Sequence, residues 1–151
     1  MPHIDRHAIE ILLVEDNPRD VELTLRALRK NNLSNKIHVV RDGAEALDYL
    51  FSRGEYEGNG PDNSPRVVLL DLKLPKVDGL EVLRIVKADS RLKKLPIVVL
   101  TSSREERDLV ESYSLGVNSY IVKPVDFDQF VEAVKQLGLY WIVLNQVPTQ
   151  N

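Results

Sequence analysis

The sequence of 151 residues contains no cysteine. Disulfide bonds, thiolate nucleophiles and cysteine-based zinc sites are therefore excluded. Only three histidines are present, and two of them, His3 and His7, lie near the N-terminus, so a histidine-rich metal site is not expected. No apolar run approaches the roughly 18 residues of a membrane span, and no signal-peptide pattern is present. We therefore expect a cytoplasmic protein without a membrane span.

An excess of charge of one sign is also missing. Lys and Arg number 20 against 23 Asp and Glu, which gives a formal net charge of −3. A protein whose main task is to coat nucleic acid or an anionic membrane carries a positive excess, so we expect neither partner. Apolar residues make up 43% and charged residues 28% of the chain. This composition and length are typical of one globular domain with a real core.

Five short apolar segments predict buried β-strands. They are bounded by polar residues and comprise residues 9–14, 37–40, 67–70, 97–100 and 118–122. Continuous rather than alternating apolar character is typical of parallel strands covered on both faces.

Helical patterns follow each predicted strand. The predicted helices begin at Pro18, Gly43, Gly79, Arg104 and just after Asp126. The fourth of them, 104–115, is polar and ends before Gly116, and the glycine- and proline-rich stretch 52–66 predicts a long exposed loop. Strands and helices that alternate in this way predict βαβ units with right-handed crossovers. The expected fold is α/β, a doubly wound five-stranded parallel sheet.

Polar residues stand where these strands end. Glu15 and Asp16 follow the first strand, Asp71 the third, Thr101 the fourth and Lys123 the fifth. Because the carboxyl ends of parallel strands meet at one edge of the sheet, where ligands bind in such folds, we expect these side chains to lie close together.

The residue types at this edge favour phosphoryl chemistry. Three carboxylates in one crevice repel one another unless a cation is bound, and oxygen ligands without His or Cys suit Mg²⁺. The Lys123 ammonium and the Thr101 hydroxyl would stabilise a transferring phosphoryl group. A central carboxylate can then act as the nucleophile and form an aspartyl-phosphate.

Four local strings resemble the receiver domain of two-component response regulators: ILLVEDNP, VVLLDLKLPKVDG, PIVVLTSS and NSYIVKPVD. The resemblance covers residues 9–138 and implies a flavodoxin-like (βα)5 fold, with an N-terminal arm 1–8 and a C-terminal tail 139–151. The strings GEYE and YW resemble a narrower group, the stand-alone regulators paired with bacterial phytochrome-type histidine kinases. Because the tail is too short for a DNA-binding domain, we expect output through a downstream protein or a phosphotransfer partner.

The resemblance implies a role for each residue of the edge. Asp71 would accept the phosphoryl group from the phosphohistidine of a sensor histidine kinase. Asp16 and Asp71 would bind Mg²⁺ through their carboxylates, and Lys73 through its backbone carbonyl. Glu15 would act at the metal mostly through water.

A second set of residues would bind the phosphoryl group and transmit its arrival. Lys123 would pair with Asp71 at rest and with the phosphoryl group afterwards, which Thr101 and Ser102 would also bind. Thr101 and Tyr120 would form the switch, read out on the surface of helix 4, strand 5 and helix 5. The protein would catalyse its own phosphorylation and dephosphorylation and otherwise act as a signalling switch. The Lys123–Pro124 bond is expected to be cis, as in the family.

Structural interpretations of the same residues also exist. Asp16 or Asn17 could cap the first helix beside Pro18, and Tyr120 could simply pack. Chance would have to place all the strand-end residues at one edge, so the functional interpretation is favoured.

Two other functions fit the residues less well. A phosphohydrolase would need a second Asp at position 73, where this chain has Lys. A flavodoxin-like binder would need a phosphate-binding loop of Ser, Thr or Gly at 15–18, where this chain has Glu-Asp-Asn-Pro. The alternative that stays open is a receiver-like interaction module that needs no phosphorylation. The apolar segment 139–144 either packs back on the domain or supports a homodimer, which in the family forms through helix 4, strand 5 and helix 5.

Overall fold

A computed structural model of the chain describes residues 9–30, 37–58, 64–117, 119–139 and 141–144. The predicted arm 1–8 and the end of the predicted tail, 145–151, lie outside the described residues. Asn118, the predicted first residue of the fifth strand, lies outside them as well.

Strands and helices alternate through the described part of the chain. The strands are β1 (Ile11–Val14), β2 (Ile37–Val40), β3 (Val67–Asp71), β4 (Ile97–Thr101) and β5 (Ser119–Val122). The α-helices are α1 (Pro18–Arg29), α2 (Gly43–Leu50), α3 (Gly79–Ala88), α4 (Arg104–Ser112), α5 (Phe127–Gln136) and α6 (Trp141–Leu144). A 3₁₀ turn, Gly54–Tyr56, lies between α2 and β3.

All five strands are parallel and form one sheet in the order β2-β1-β3-β4-β5. The prediction of a doubly wound five-stranded parallel sheet is confirmed. The chain leaves β1 toward β2 on one side and continues from β3 on the other, so the winding direction changes between β1 and β3. In open α/β sheets the crevice at this change of direction, outside the carboxyl ends of the strands, is the usual place for a ligand.

Apolar layers cover both faces of the sheet. Along β1, Leu12 and Val14 pack into the layer that contains α2 and α3, whereas Ile11 and Leu13 pack into the layer of α1 and α5. All four β1 side chains are fully buried. Burial on both faces explains why the strand is apolar without alternation.

Polar caps fix the point at which each helix leaves the sheet edge. The Asn17 side chain accepts hydrogen bonds from the backbone N–H groups of Arg19 and Asp20. The N-cap of α1 is therefore Asn17 and not Asp16. The N-caps of the next four helices are Asp42, Asp78, Ser103 and Asp126. These short side chains satisfy N–H groups that have no partner inside the helix.

Several element boundaries and one loop differ from the expectations, and β3 and β4 each extend one residue further than predicted, to Asp71 and Thr101. β1 begins at Ile11 rather than at residue 9, and α4 ends at Ser112 rather than at residue 115. The early end of α4 follows from the left-handed backbone of Ser114, with φ of 53°. The described part of the loop 52–66 is not fully exposed, because Tyr56 packs against His38 and Tyr49.

The expected cis peptide bond is present between Lys123 and Pro124. In the predicted tail, Ile142 is fully buried among side chains of the α1 and α5 layer. None of the helices in the described ranges is long and apolar enough to cross a membrane.

Candidate functional site

The end of β1 turns two neighbouring carboxylates in opposite directions. The Glu15 N–H donates to the carbonyl of Val40 on β2, at 3.0 Å, which continues the sheet by one residue. The Glu15 side chain is fully buried, and its Oε2 accepts a hydrogen bond from the Asn17 N–H at 3.2 Å. Asp16 is exposed. The predicted pair is therefore divided into a buried and a solvent-facing carboxylate.

Asp71 is the last residue of β3 and is almost completely buried. The following loop closes tightly, because the Gly79 N–H donates to the Leu72 carbonyl at 2.8 Å. A Cβ atom on Gly79 would overlap the backbone oxygen of Asp71 and lie 2.6 Å from the Leu72 Cα. Glycine at this position thus lets the start of α3 lie directly against the strand end that carries Asp71.

The ends of β4 and β5 bring the remaining predicted residues to the same edge. Thr101 ends β4 and is buried, and its carbonyl accepts a hydrogen bond from the Lys123 N–H at 2.8 Å. Ser102, the next residue, is exposed. Lys123 directly follows β5.

The Lys123 ammonium lies among three carboxylates. Its Nζ is 2.9 Å from Asp20 Oδ2, 3.3 Å from Glu15 Oε1 and 3.4 Å from Asp71 Oδ1. Burial by itself would lower the pKa of Lys123, but the hydrogen bond with Asp20 and the charges of Asp71 and Glu15 raise it overall. The lysine therefore stays charged.

Negative charge at this edge exceeds what Lys123 compensates. Burial, followed by the charge of Asp71, raises the pKa of Glu15 to about 7, although Lys123 acts in the opposite direction. A buried carboxylate beside a second one holds its proton more tightly because the charged form is poorly solvated and repelled. An additional cation would relieve this repulsion.

Asp20 is a member of the site that the sequence did not reveal. It lies in the first turn of α1, where acidic residues are common because they interact favourably with the helix dipole. Because this explanation is sufficient for Asp20, the sequence does not indicate its contact with Lys123.

Glu106 was missed as well. Its Oε1 accepts the Ser102 N–H at 2.8 Å, and its Oε2 lies 3.3 Å from Lys73 Nζ. A signal was present, since Ser103 and Glu106 have the spacing of a capping box. The Glu106 N–H indeed donates to Ser103 Oγ at 3.2 Å.

Tyr120 lies half-buried on β5, with the Arg107 guanidinium 4.6 Å from the centre of its ring. Its hydroxyl oxygen is buried and has no hydrogen-bond partner among the described residues. Burial, and then the charge of Glu111, raise the pKa of this phenol, so it stays neutral.

The predicted metal ligands come from two adjoining places. Glu15 and Asp71 interact beside Lys123, whereas Asp16 and Lys73 line a cavity of about 500 Å³. Within the ranges that the structure describes, no three acidic or histidine side chains already lie close enough to hold a metal ion together. The donors are nevertheless all oxygen atoms at an edge with excess negative charge, a combination that fits a hard divalent cation.

Comparison with known proteins identifies the family. The response regulator receiver domain matches residues 11–135, which include every element from β1 to nearly the end of α5. The bacteriophytochrome response regulator AtBRR is 62% identical, with a TM-score of 0.83 over 89% of this chain and 95% of that chain.

Two cyanobacterial regulators are also similar. The structure of the phosphorylated phytochrome response regulator RcpA is 42% identical, with a TM-score of 0.70 over 89% of this chain and 94% of that one. Response regulator Rcp1 of Synechocystis is 39% identical over 91% of this chain and 92% of its own length. Its Mn²⁺-bound structure has a TM-score of 0.68 over 95% and 99% of the two chains. The chain belongs to the response regulator receiver domain family of two-component signal transduction.

Proposed function

We propose that this receiver is a phosphorylation switch in which Asp71 accepts a phosphoryl group from the phosphohistidine of a sensor histidine kinase. The observation that carries the proposal is the buried Asp71 carboxylate with the Lys123 ammonium 3.4 Å away. A carboxylate nucleophile beside a fixed cation can attack a phosphoryl group whose negative charge the cation stabilises. The structure of the relative RcpA is that of a phosphorylated response regulator, which supports this chemistry.

The transfer step exchanges one bond for another. An Asp71 oxygen forms a new bond to phosphorus while the bond from phosphorus to the histidine nitrogen breaks. The histidine leaves as neutral imidazole when its other ring nitrogen carries a proton. With acetyl phosphate as donor, a P–O bond breaks and acetate leaves. Later attack of water on the aspartyl-phosphate releases inorganic phosphate and restores the Asp71 carboxylate, so the protein catalyses both reactions on itself.

Mg²⁺ is the proposed cofactor. Asp16 and Asp71 would hold it through their carboxylates and Lys73 through its backbone carbonyl, with Glu15 acting through water. When bound, the ion neutralises the charge of the phosphoryl oxygens. The oxygen-only donors and the excess negative charge at Glu15 support this assignment, as does the relative Rcp1, whose structure holds Mn²⁺.

The switch is assigned to Thr101 and Tyr120. After transfer, the Thr101 hydroxyl, Ser102 and Lys123 would bind the phosphoryl oxygens. The buried Tyr120 hydroxyl has no partner within the described chain, so it loses no hydrogen bond when the ring moves. Since Tyr120 lies on β5 against Arg107 of α4, its movement would reach the surface formed by α4, β5 and α5.

The output surface and the partners follow from the same assignment. Three exposed apolar side chains support a protein-binding role for that surface: Leu109 on α4, Tyr113 directly after α4 and Val122 on β5. The partner there would be a downstream protein, a phosphotransfer protein or a second copy in a homodimer. The phytochrome regulators among the relatives support a phytochrome-type histidine kinase as the phosphoryl donor.

The test is intact-mass measurement after incubation with acetyl phosphate, with and without Mg²⁺. We expect one phosphoryl group per chain, dependent on Mg²⁺ and absent in Asp71→Asn. Asp78→Asn is the matched control, because Asp78 is an exposed carboxylate in the same loop and asparagine also caps helices. A folded wild-type chain that takes no phosphoryl group, from acetyl phosphate or from a phytochrome-type kinase with ATP, would favour the phosphorylation-independent interaction module.

A further inference from the structure

One carboxylate, that of Glu106, joins the two loops that flank the proposed phosphoryl site. Its Oε1 accepts the backbone N–H of Ser102, directly after β4, and its Oε2 pairs with the side chain of Lys73, two residues after Asp71. The Glu106 side chain is only 16% exposed, whereas that of Lys73 is 78% exposed. The short hydrogen bond to Ser102 is therefore the firmer of the two contacts, because water screens the ion pair with Lys73.

Helix capping alone does not explain this arrangement. In a capping box, the glutamate at the third helical position reaches back to the N–H of the N-cap residue. The N-cap of α4 is Ser103, but Glu106 reaches past it to Ser102 and also contacts a residue from a different loop. Its carboxylate therefore holds two positively polarised groups from two separate strand ends.

Both groups would otherwise be available to an anion at the site. Ser102 directly follows the buried Thr101, and Lys73 lies two residues after the buried Asp71. A phosphoryl group adds a charge of about −1.5 to −2 and three strong acceptor oxygens. It competes with the Glu106 carboxylate for the same donors and also repels it.

We propose that Glu106 is a positioning residue that keeps the Ser102 N–H and Lys73 engaged at rest, and so slows phosphorylation of Asp71. This inference rests on the proposed function. When the phosphoryl group arrives, Glu106 gives up the Ser102 N–H, and the first turn of α4 loses that anchor to the loop after β4. The arrival of charge at Asp71 is thereby coupled directly to the start of α4, by a route that does not pass through Tyr120.

The test compares Glu106→Gln with Glu105→Gln. Both variants remove one negative charge from the first turn of α4, but Glu105 is exposed on the helix. With acetyl phosphate and saturating Mg²⁺, we expect Glu106→Gln to raise the initial phosphorylation rate about 3- to 10-fold, since a neutral amide binds these donors more weakly. Glu105→Gln should stay within about twofold of the wild type, since its charge is solvated. Glu106→Asp keeps the charge on a shorter side chain, so it tests whether the carboxylate must reach the Ser102 N–H.

If Glu106 had only a structural role, Glu106→Gln would lower the phosphorylation rate, because a loosened site would react more slowly. A second measurement needs no phosphorylation: NMR hydrogen exchange of the Ser102 amide should be faster in Glu106→Gln and unchanged in Glu105→Gln. If the wild type is phosphorylated on Asp71 but Glu106→Gln reacts no faster than Glu105→Gln, the inference is overturned and the proposed function stands. If the wild type takes no phosphoryl group, from acetyl phosphate or from a phytochrome-type kinase with ATP, both are overturned.

Discussion

The ammonium group of Lys123 lies closer to Asp20 than to Asp71. Its Nζ is 2.9 Å from Asp20 Oδ2 and 3.4 Å from Asp71 Oδ1. The lysine is thus shared between the proposed phosphoryl acceptor on β3 and a carboxylate on α1. Any anion that forms at Asp71 must compete with Asp20 for this cation.

Asp20→Asn should lengthen the lifetime of the phosphorylated form. With the Asp20 charge removed, more of the Lys123 positive charge acts on the phosphoryl oxygens, so we expect loss of phosphate to slow by about 2- to 5-fold. Release of inorganic phosphate from the purified phosphoprotein measures this rate. Glu22→Gln is the control, because Glu22 lies on the same helix but pairs with Arg26 at 3.3 Å. An unchanged or shorter lifetime in Asp20→Asn would contradict the prediction.

Tyr120→Phe should stabilise the resting fold. A buried hydroxyl without a partner costs about 1–3 kcal/mol, and phenylalanine removes the hydroxyl while keeping the ring against Arg107. We expect Tm to rise by about 2–4 °C, the shift that about 1 kcal/mol produces in a domain of this size. Thermal unfolding without phosphodonor measures it, with the exposed Tyr113→Phe as control. A lower Tm would show that the hydroxyl is satisfied in solution.

The strand-end residues could be predicted from the sequence because their position depends on local pattern and sheet geometry alone. Asp71, Thr101 and Lys123 each follow or end an apolar run, and parallel strands bring such ends to one edge. The assignment of doubly wound topology follows from the same alternation.

The contacts of Asp20 and Glu106 could not be predicted in this way. Each has an ordinary local explanation, in the first turn of α1 or in the capping pattern of α4. Their partners lie on other loops and are brought to them only when the helices pack on the sheet. Tyr56 is similar, since it occurs in a glycine-rich stretch and is partly buried against side chains of β2 and α2.

Gly79→Ala should impair phosphorylation more than it impairs folding. The added methyl group would collide with the backbone of Asp71 and Leu72, and so displace the proposed phosphoryl acceptor. We expect a loss of about 1–3 kcal/mol in stability and, because a small misplacement of reacting groups is costly, at least a tenfold lower rate with acetyl phosphate.

Gly116→Ala separates these effects. Gly116 has a φ of 79°, so alanine there is strained, but among the described residues no atom beyond its chain neighbours lies within 4 Å of the added methyl group. This variant should lose a comparable stability, about 1–2 kcal/mol, with an unchanged phosphorylation rate. Equal rates in the two variants would mean that Gly79 serves the fold alone.

His38, on the edge strand β2, should make the stability of the protein depend on pH. Its ring stacks on Tyr49, with centroids 4.8 Å apart, and its Nε2 is 3.0 Å from the Tyr56 hydroxyl. That hydroxyl donates to Glu45 Oε2 at 2.7 Å, so it can only accept from His38. Burial lowers the pKa of His38 below its usual 6.5, although the Glu45 charge opposes the shift. The folded protein therefore favours the neutral imidazole.

The sign of the effect follows by linkage. A histidine whose pKa is lower in the folded state contributes stability that is present above the unfolded pKa and is lost as the pH falls through the folded pKa. The fall in Tm between pH 7.5 and pH 5 should thus be larger in the wild type than in His38→Phe, which keeps an aromatic ring on Tyr49 but does not titrate. The carboxylates and the other histidines are common to both proteins, so their contributions cancel in the difference. Equal falls in Tm would mean that His38 has the same pKa in the folded and unfolded chain, and that its burial does not favour the neutral form.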